Sequence, residues 1–419
     1  MRIAIVGTGV SGLTAAWHLA RRHDVTVFER NPQPGGHSHT VSVVDARGEL
    51  GLDTGFIVYN DRTYPWFSRM LADLEVATQP SDMSFSMRCD RCRVEYSGSG
   101  IRGLFARVSQ ALRPGFHRML FDVLRFHREA NDAIGKGRYA SFTVEEFLEE
   151  RGYGAAFTRH YLLPMGGAIW STPVGQFGEF PLQCFLGFFR SHGLLSVNGK
   201  PQWRTVTGGS RRYVAALTRA FRDRIRVGCE VTRVRRRAQG VEIEAGGIRT
   251  MFDGVVLAVH SDQALALLAD PSECESRALG AIRYRANEAI LHTDSRVLPR
   301  RRAARASWNV HLSDCRRPDS ALTMTYDLNR LQRLRAAEQY CVTLNAGSTI
   351  APQRILQRIA YAHPSYTLGA LEAQRLLRRE NGQRHTFYCG AWLGYGFHED
   401  AVVSALEVVR LLDERRAAA

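Results

Sequence analysis

Two groups of residues have the types and spacing to do chemistry. The first is Gly7, Gly9 and Gly12, in the order G-x-G-x-x-G, with the acid Glu29 placed 17 residues after Gly12. Gly7 permits a tight turn, Gly9 lets the backbone lie against a pyrophosphate, and Gly12 lets a following helix approach the preceding strand. A helix that starts there presents free N–H groups and partial positive charge to phosphate. A carboxylate at Glu29 can accept hydrogen bonds from a ribose, and it would repel a 2′-phosphate. This chemistry is that of a dinucleotide site without that phosphate, and it argues against NADP. The second group is Cys89 and Cys92, a C-x-x-C. Zinc needs four ligands, and no second pair or H-x-x-x-H lies near. The expectation is no metal, and eight cysteines that are otherwise scattered read as reduced thiols.

The elements that must position these residues can be read from the pattern around them. Arg2 to Val6 is a short β-branched run, which predicts a buried strand. Leu13 to Ala20 predicts a helix, and Val25 to Phe28 a second strand that ends on Glu29. Asn31 to His37 is a turn-rich loop. Val41 to Val44 and Gly48 to Leu52 predict a strand pair, and Tyr64 to Leu74 a helix. Ser141 to Leu148 carries an N-cap and an acidic first turn. A helix from Arg211 to Phe221 follows the Gly208-Gly209 turn. Strands are expected at Ile225 to Val227, Val231 to Arg235, Val241 to Ile243, Val255 to His260 and Thr386 to Cys389. A last helix is expected from about Ala401 to Leu412.

Two stretches leave alternatives open. Tyr161 to Phe189 is rich in aromatic residues and suits either plain core or the wall of an apolar cavity. Residues 101–131 read as two helices with an apolar stripe through Leu104, Val108, Leu112, Phe116, Leu120 and Leu124. Arg102, Arg107, Arg113, Arg118, Arg125 and Arg128 are interleaved. Such a segment either packs on a domain or rests on anionic lipid.

The formal charge is +15, but only Lys136 and Lys200 are lysines, so arginine carries nearly all of it. The arginines are spread along the chain, with no basic tail or nucleic-acid motif, and codon usage in a GC-rich genome explains the bias. No nucleic-acid partner is expected. No run of 18 uncharged apolar residues appears, and no leader precedes the first strand. The expectation is a cytoplasmic protein, with a peripheral contact at the inner face of the membrane as a further option.

The glycine fingerprint with Glu29, the Gly35-Gly36 doublet, the Gly208-Gly209 turn and the segment Gly390 to Asp400 resemble the flavin amine-oxidase superfamily. That family includes protoporphyrinogen oxidases and carotenoid desaturases. Asp53 to Asn60, Leu163-Pro164-Met165, Ala168 to Pro173 and Gly390 to Asp400 are more similar to a bacterial NAD/FAD-binding branch, whose genes often lie beside cyclopropane-fatty-acid-synthase-type methyltransferases. The resemblance covers essentially the whole chain.

It implies an α/β fold: a Rossmann-type, glutathione-reductase-like FAD domain from residues 1–60, 200–275 and 382–419, and a mixed α+β substrate domain from 61–199 and 276–381. It implies FAD as cofactor. Gly7, Gly9, Ser11 and Gly12 would hold the pyrophosphate and Glu29 the adenosine ribose. Gly35 and Gly36 would flank the phosphates, and Val231 would meet the adenine. Arg30, His37, Trp392, Gly396, Phe397 and Glu399 complete the implied cofactor shell. Tyr59 and His398 lie in segments expected beside the isoalloxazine, where either could move a proton or orient substrate. The family's amine oxidases place a lysine near the flavin N5, and Lys200 is the better candidate here. No aromatic pair of an amine-binding cage is evident. The expected function is a desaturase or dehydrogenase of a lipid or modified fatty acyl chain. An amine oxidase and a non-catalytic FAD-binding partner of a lipid methyltransferase are the alternatives.

Overall fold

The computed structural model describes all residues except 197, 198, 200, 318–321 and 419. Arg2–Val6 is the central strand of a five-stranded parallel sheet. The order across the sheet is Ile225–Arg226, Asp24–Phe28, Arg2–Val6, Gly254–Leu257, Thr386–Tyr388. Val6 is in register with Phe28 on one side and Leu257 on the other. Three bonds carry the pairing past the strand ends: Gly7 N donates to Phe28 O, Ala258 N to Val6 O, and Cys389 N to Leu257 O. The carboxyl ends of four strands therefore meet at one edge, where ligands of open α/β sheets bind.

A parallel sheet is buried on both faces, and alternate residues of each strand choose the face. Ile3, Ile5 and Val256 join a core with Leu13, Tyr213 and Val408, from the helices Val10–Leu19, Arg211–Thr218 and His398–Ala418. Ala4, Val6 and Val255 join the opposite core. That face is covered by the antiparallel strands Val231–Arg237, Gly240–Ala245 and Ile248–Phe252, and by the helices Glu273–Ala281 and Leu368–Glu380. These two helices lie largely within 276–381, the span expected for the other domain.

The second unit is a seven-stranded sheet in the order Ile355–Pro364, Tyr284–His292, Cys341–Leu344, Thr323–Asp327, Trp308–Leu312, Phe85–Cys89, Val94–Ser97. Helices Pro114–Ala133, Val144–Glu150, Leu163–Trp170 and Leu182–Ser191 share its core through Phe126, Phe147, Trp170 and Phe185. Thr143 and Glu146 form a reciprocal capping box at the start of Val144–Glu150.

Residues 101–112 are not one helix. Gly100–Leu104 is a single turn, Arg107 is extended, and Val108–Gln110 is a short 3-10 turn. The four-residue spacing of Leu104, Val108 and Leu112 therefore has no helical meaning. Pro114 does open a helix, and Phe116, Met119 and Phe126 are its buried face. The last helix starts at His398, three residues before the expected Ala401, where the Asp400 carboxylate accepts from Phe397 N at 2.9 Å.

Candidate active site

A cavity of about 1690 Å³ runs from the carboxyl edge of the parallel sheet to the seven-stranded sheet. Ordinary ligand pockets occupy about 300–1,000 Å³. The space suits more than one bound molecule.

At the sheet edge the glycines differ in their work. Gly7 has φ of +100°, and a Cβ there would lie 2.6 Å from Ala258 O. A Cβ on Gly9 would meet nothing within 4 Å, because it would enter the cavity. Gly36, with φ of +58°, lies against Gly9 Cα. Gly12 does not line the cavity; its Cβ would fall 2.0 Å from Gly7 O, so its role is to let helix and turn touch. Ser11, Gly35, Arg30 and Val231 also line the wall.

The Glu29 carboxylate is buried and accepts from Thr8 N at 3.0 Å, from Thr8 Oγ1, and from Asn31 N at 2.8 Å. A carboxylate offers about four acceptor sites, so one remains for a ribose hydroxyl. Gly35 N in turn donates to Thr8 O at 3.1 Å. The residues present fit a dinucleotide: an open helix start, two glycines without side chains above it, and an anchored acid.

Beyond the edge, Trp392 lies under Gly390 and donates to Val259 O at 3.0 Å. Gly396 has φ of +96° and abuts Tyr366. Phe397 stacks on Phe188, with centroids 4.5 Å apart. His398 stacks on Phe56 at 3.6 Å, and its Nε2 lies 3.1 Å from Ser38 Oγ and 3.3 Å from Tyr213 OH. Burial, and then the neighbouring His37, push its pKa well below the ordinary value, so its imidazole is neutral.

Two expected site residues point elsewhere. The Glu399 carboxylate accepts from Trp66 N and Phe67 N, each at 3.0 Å, and caps the helix Pro65–Asp73, which has no side-chain cap of its own. Tyr59 pairs with Arg204 in a short ladder and turns its ring into the core beside Phe67, outside the cavity lining. Lys200 lies outside the described residues. Of the stretch 161–189, Met165, Ile169, Trp170 and Phe188 line the cavity, whereas Phe177, Phe185 and Phe189 are core.

Around His37, which the resemblance placed in the cofactor shell, the structure adds residues that the sequence did not single out for the site. His37 stacks on Tyr361 at 4.7 Å, with His363 at 5.5 Å and His260 at 6.4 Å. His260 stacks on Tyr284 at 4.2 Å, and His363 Nδ1 lies 2.9 Å from Asn287 Nδ2. The His37 Nε2 is buried without a hydrogen-bond partner, as a ligand-facing atom would be. Burial, reinforced by the neighbouring imidazoles, lowers His37 and His260 to about 4 and His363 to about 3. Ile359, Tyr361 and His363 share one face of their strand, so a period of two was the signal that could have found them.

Two outcomes follow for solution work. Gly9→Leu should fold normally by circular dichroism yet purify without bound dinucleotide, whereas Gly12→Ala should lower stability itself. Between pH 6.5 and about 4 the unfolded chain binds more protons than the folded one at His37 and His260. Stability therefore holds above 6.5 and falls on acidification through that window. The melting midpoint should drop from pH 6.5 to 5, and His260→Gln should flatten the slope.

Residues 10–326 match the family of flavin containing amine oxidoreductases. A flavin-containing monooxygenase from Aspergillus flavus, ustF2, is 33% identical over 93 residues, which is 21% of this chain and 19% of that protein. Among solved structures, a CLA-producing fatty acid isomerase from P. acnes superposes with a TM-score of 0.69 at 16% identity over 98% of each chain. Cyclohexylamine oxidase from Brevibacterium oxydans superposes with a TM-score of 0.70 at 13% identity over 99% of each chain. At such identities the likeness is one of fold. The family match spans most of the chain, and the flavin it names agrees with the open space at Gly9 and Gly36 beside the helix start. The chain belongs to the flavin containing amine oxidoreductase family, and it is an FAD-dependent oxidoreductase.

Proposed function

We propose that this oxidoreductase is a desaturase or dehydrogenase of a long apolar substrate, a fatty acyl chain or lipid. One observation carries the reading. Among the described residues, every cavity-lining residue from the second unit is uncharged. Glu29, Arg30, Arg211 and Glu230 are the charged lining residues, and all come from the parallel-sheet unit. The far end is made of Met83, Phe85, Ile169, Trp308, Leu344 and Ile359. An ammonium there would find no carboxylate, which disfavours a charged amine. A protein of this fold from P. acnes is a fatty acid isomerase, which supports the same reading.

Gly7, Gly9 and Ser11 would hold the FAD pyrophosphate, with Glu29 on the ribose, Gly36 above the phosphates and Val231 at the adenine. Bound FAD supplies a two-electron acceptor for C–H oxidation. The N-terminal end of the final helix reaches the cavity at Phe397 and His398, where its partial positive charge stabilises negative charge. Phe188, His192 and Phe397 form a stacked wall that excludes water. His398 is proposed as a positioning residue, since Ser38 and Tyr213 hold its Nε2.

Among the described residues no helix is long and apolar enough to cross a membrane. Peripheral contact is part of the proposal. Ile101, Val108, Leu112, Phe121 and Leu124 are 57% to 84% exposed. His117, Phe121, Leu124 and Arg128 follow one another at helical spacing, and all four are exposed. Arg102, Arg118 and Arg128 are exposed beside them. Arg113 and Arg125 serve the protein instead: one donates to Cys92 O, the other lies over Tyr153.

Anaerobic addition of a long-chain fatty acid or phospholipid should bleach the flavin, while cyclohexylamine should not; bleaching by amines alone would refute the reading. Anionic vesicles should float the protein at low salt and release it at high salt. The triple change Leu112→Ser, Phe121→Ser, Leu124→Ser should abolish flotation and leave the flavin spectrum unaltered.

A further inference from the structure

Outside the cavity, three cysteines and a histidine converge. Cys89 ends the strand Phe85–Cys89, and Cys92 lies in the turn that follows, where Arg93 takes φ of +53° and the chain reverses into Val94–Ser97. The strand Trp308–Leu312 runs parallel to the first of these. Asp90 N donates to Leu312 O at 3.0 Å and Arg91 N to Ser313 O at 3.1 Å, so the two chain ends continue side by side and deliver Cys315 to the turn. His160 comes from the π-helical turn Thr158–Leu162, tied to the hairpin by Tyr96 OH, which donates to His160 O at 2.8 Å. Cys92 Sγ lies 3.3 Å from Cys315 Sγ, and His160 Nε2 lies 3.2 Å from the same sulfur. All four ligand atoms fall within 4.8 Å of one another.

We propose that Cys89, Cys92, His160 and Cys315 bind a zinc ion in a tetrahedral site of three thiolates and one imidazole. Zinc bonds of about 2.3 Å to sulfur and 2.0–2.1 Å to nitrogen set neighbouring ligand atoms about 3.5–3.8 Å apart. The two shortest separations, 3.3 and 3.2 Å, fall a few tenths of an ångström inside such edges, and the 4.8 Å limit on the rest leaves the four atoms around one point that an ion can occupy with small side-chain shifts. A Cys92–Cys315 disulfide would use two of the four groups and leave the approach of Cys89 and His160 without a reason. The ligand set of soft thiolates and imidazole selects zinc over oxygen-seeking cations. Four protein ligands leave no open position, so the site is structural. Three thiolates around a dication carry net negative charge. Arg113, whose Nη1 donates to Cys92 O at 2.8 Å, and Arg159, next to His160, are placed to offset it.

The sequence offered only the C-x-x-C pair and led to the expectation of no metal. The missing ligands are far away along the chain, Cys315 being 223 residues from Cys92. The ion would staple the hairpin, the loop after Leu312 and the helical segment. That segment continues directly into Leu163–Trp170, which supplies Met165, Ile169 and Trp170 to the cavity. Zinc thus holds one wall of the cavity on the sheet, whatever the substrate.

Metal analysis of the full-length flavoprotein, purified from zinc-supplemented cells, should find close to one zinc per chain. His160→Ala and the pair Cys92→Ser, Cys315→Ser should lower zinc at least tenfold, while His160→Cys should retain it. Cobalt-grown protein should show the long-wavelength d–d bands of a tetrahedral thiolate site, clear of the flavin absorption. Three outcomes would overturn the site: wild-type protein without zinc, zinc content unchanged in the variants, or a Cys92–Cys315 disulfide found by mass spectrometry in the protein as purified.

Discussion

The carboxylate of Glu29 is the point on which the dinucleotide end of the molecule depends. It accepts from both the backbone and the hydroxyl of Thr8, inside the glycine turn, and from Asn31 beyond its own strand. Charge-assisted bonds of this kind are stronger than neutral ones, and these are buried. They fix the tips of the first two strands to each other. Thr8, so held, accepts from Gly35 and sets the loop that lays Gly36 against Gly9. An anion cradle works only if its empty space is kept empty while everything around it is close-packed. Here a side chain does the holding, and glycines provide the space.

The two units divide the electrostatic work. The parallel-sheet unit brings the charges to the cavity, and the seven-stranded unit brings none among the described residues. Even the histidines conform. His37, His260 and His363 lie close enough, and deep enough, that burial and mutual repulsion keep them neutral. A neutral imidazole can still donate one hydrogen bond and accept another. Orientation by hydrogen bonding is therefore available across a surface that offers no net charge.

What could be read from the sequence follows the range of the interactions. The strand, glycine turn, helix and acid at the start, and the N-cap with its acidic first turn ahead of Leu148, are local, and the structure has them where the residues indicate. The motif near residue 399 located the right segment but not the direction of each side chain. His398 turns to Ser38 and the cavity, while its neighbour Glu399 turns outward to a helix that lacks a cap. Tyr59 was misplaced for the same reason, because strand pairing with Arg204 decides where its ring goes. The stripe in residues 101–112 failed differently, since a four-residue period arises by chance in a chain that is extended at Arg107. The period of two marks the strand face of Tyr361 and His363, but the meeting of that face with His37 and His260, like the cysteine site, joins distant segments, and no spacing in the chain encodes those meetings.

The order of strands in the parallel sheet has a consequence for how the protein is made. The central strand is residues 2–6, its neighbour on one side is 254–257, and the edge strand beyond that is 386–388. The first helix, Val10–Leu19, is covered by the last, and Arg22 pairs with Asp413. During synthesis at about 5–20 residues per second, the central strand, paired early with Asp24–Phe28, waits tens of seconds with its other edge open before Gly254–Leu257 leaves the ribosome. Such edges attract other strands, so the nascent chain is a natural client for chaperones. The sheet that carries the glycine turn is complete only once residues 386–388 have arrived, so the edge on which the cavity opens is assembled late in synthesis.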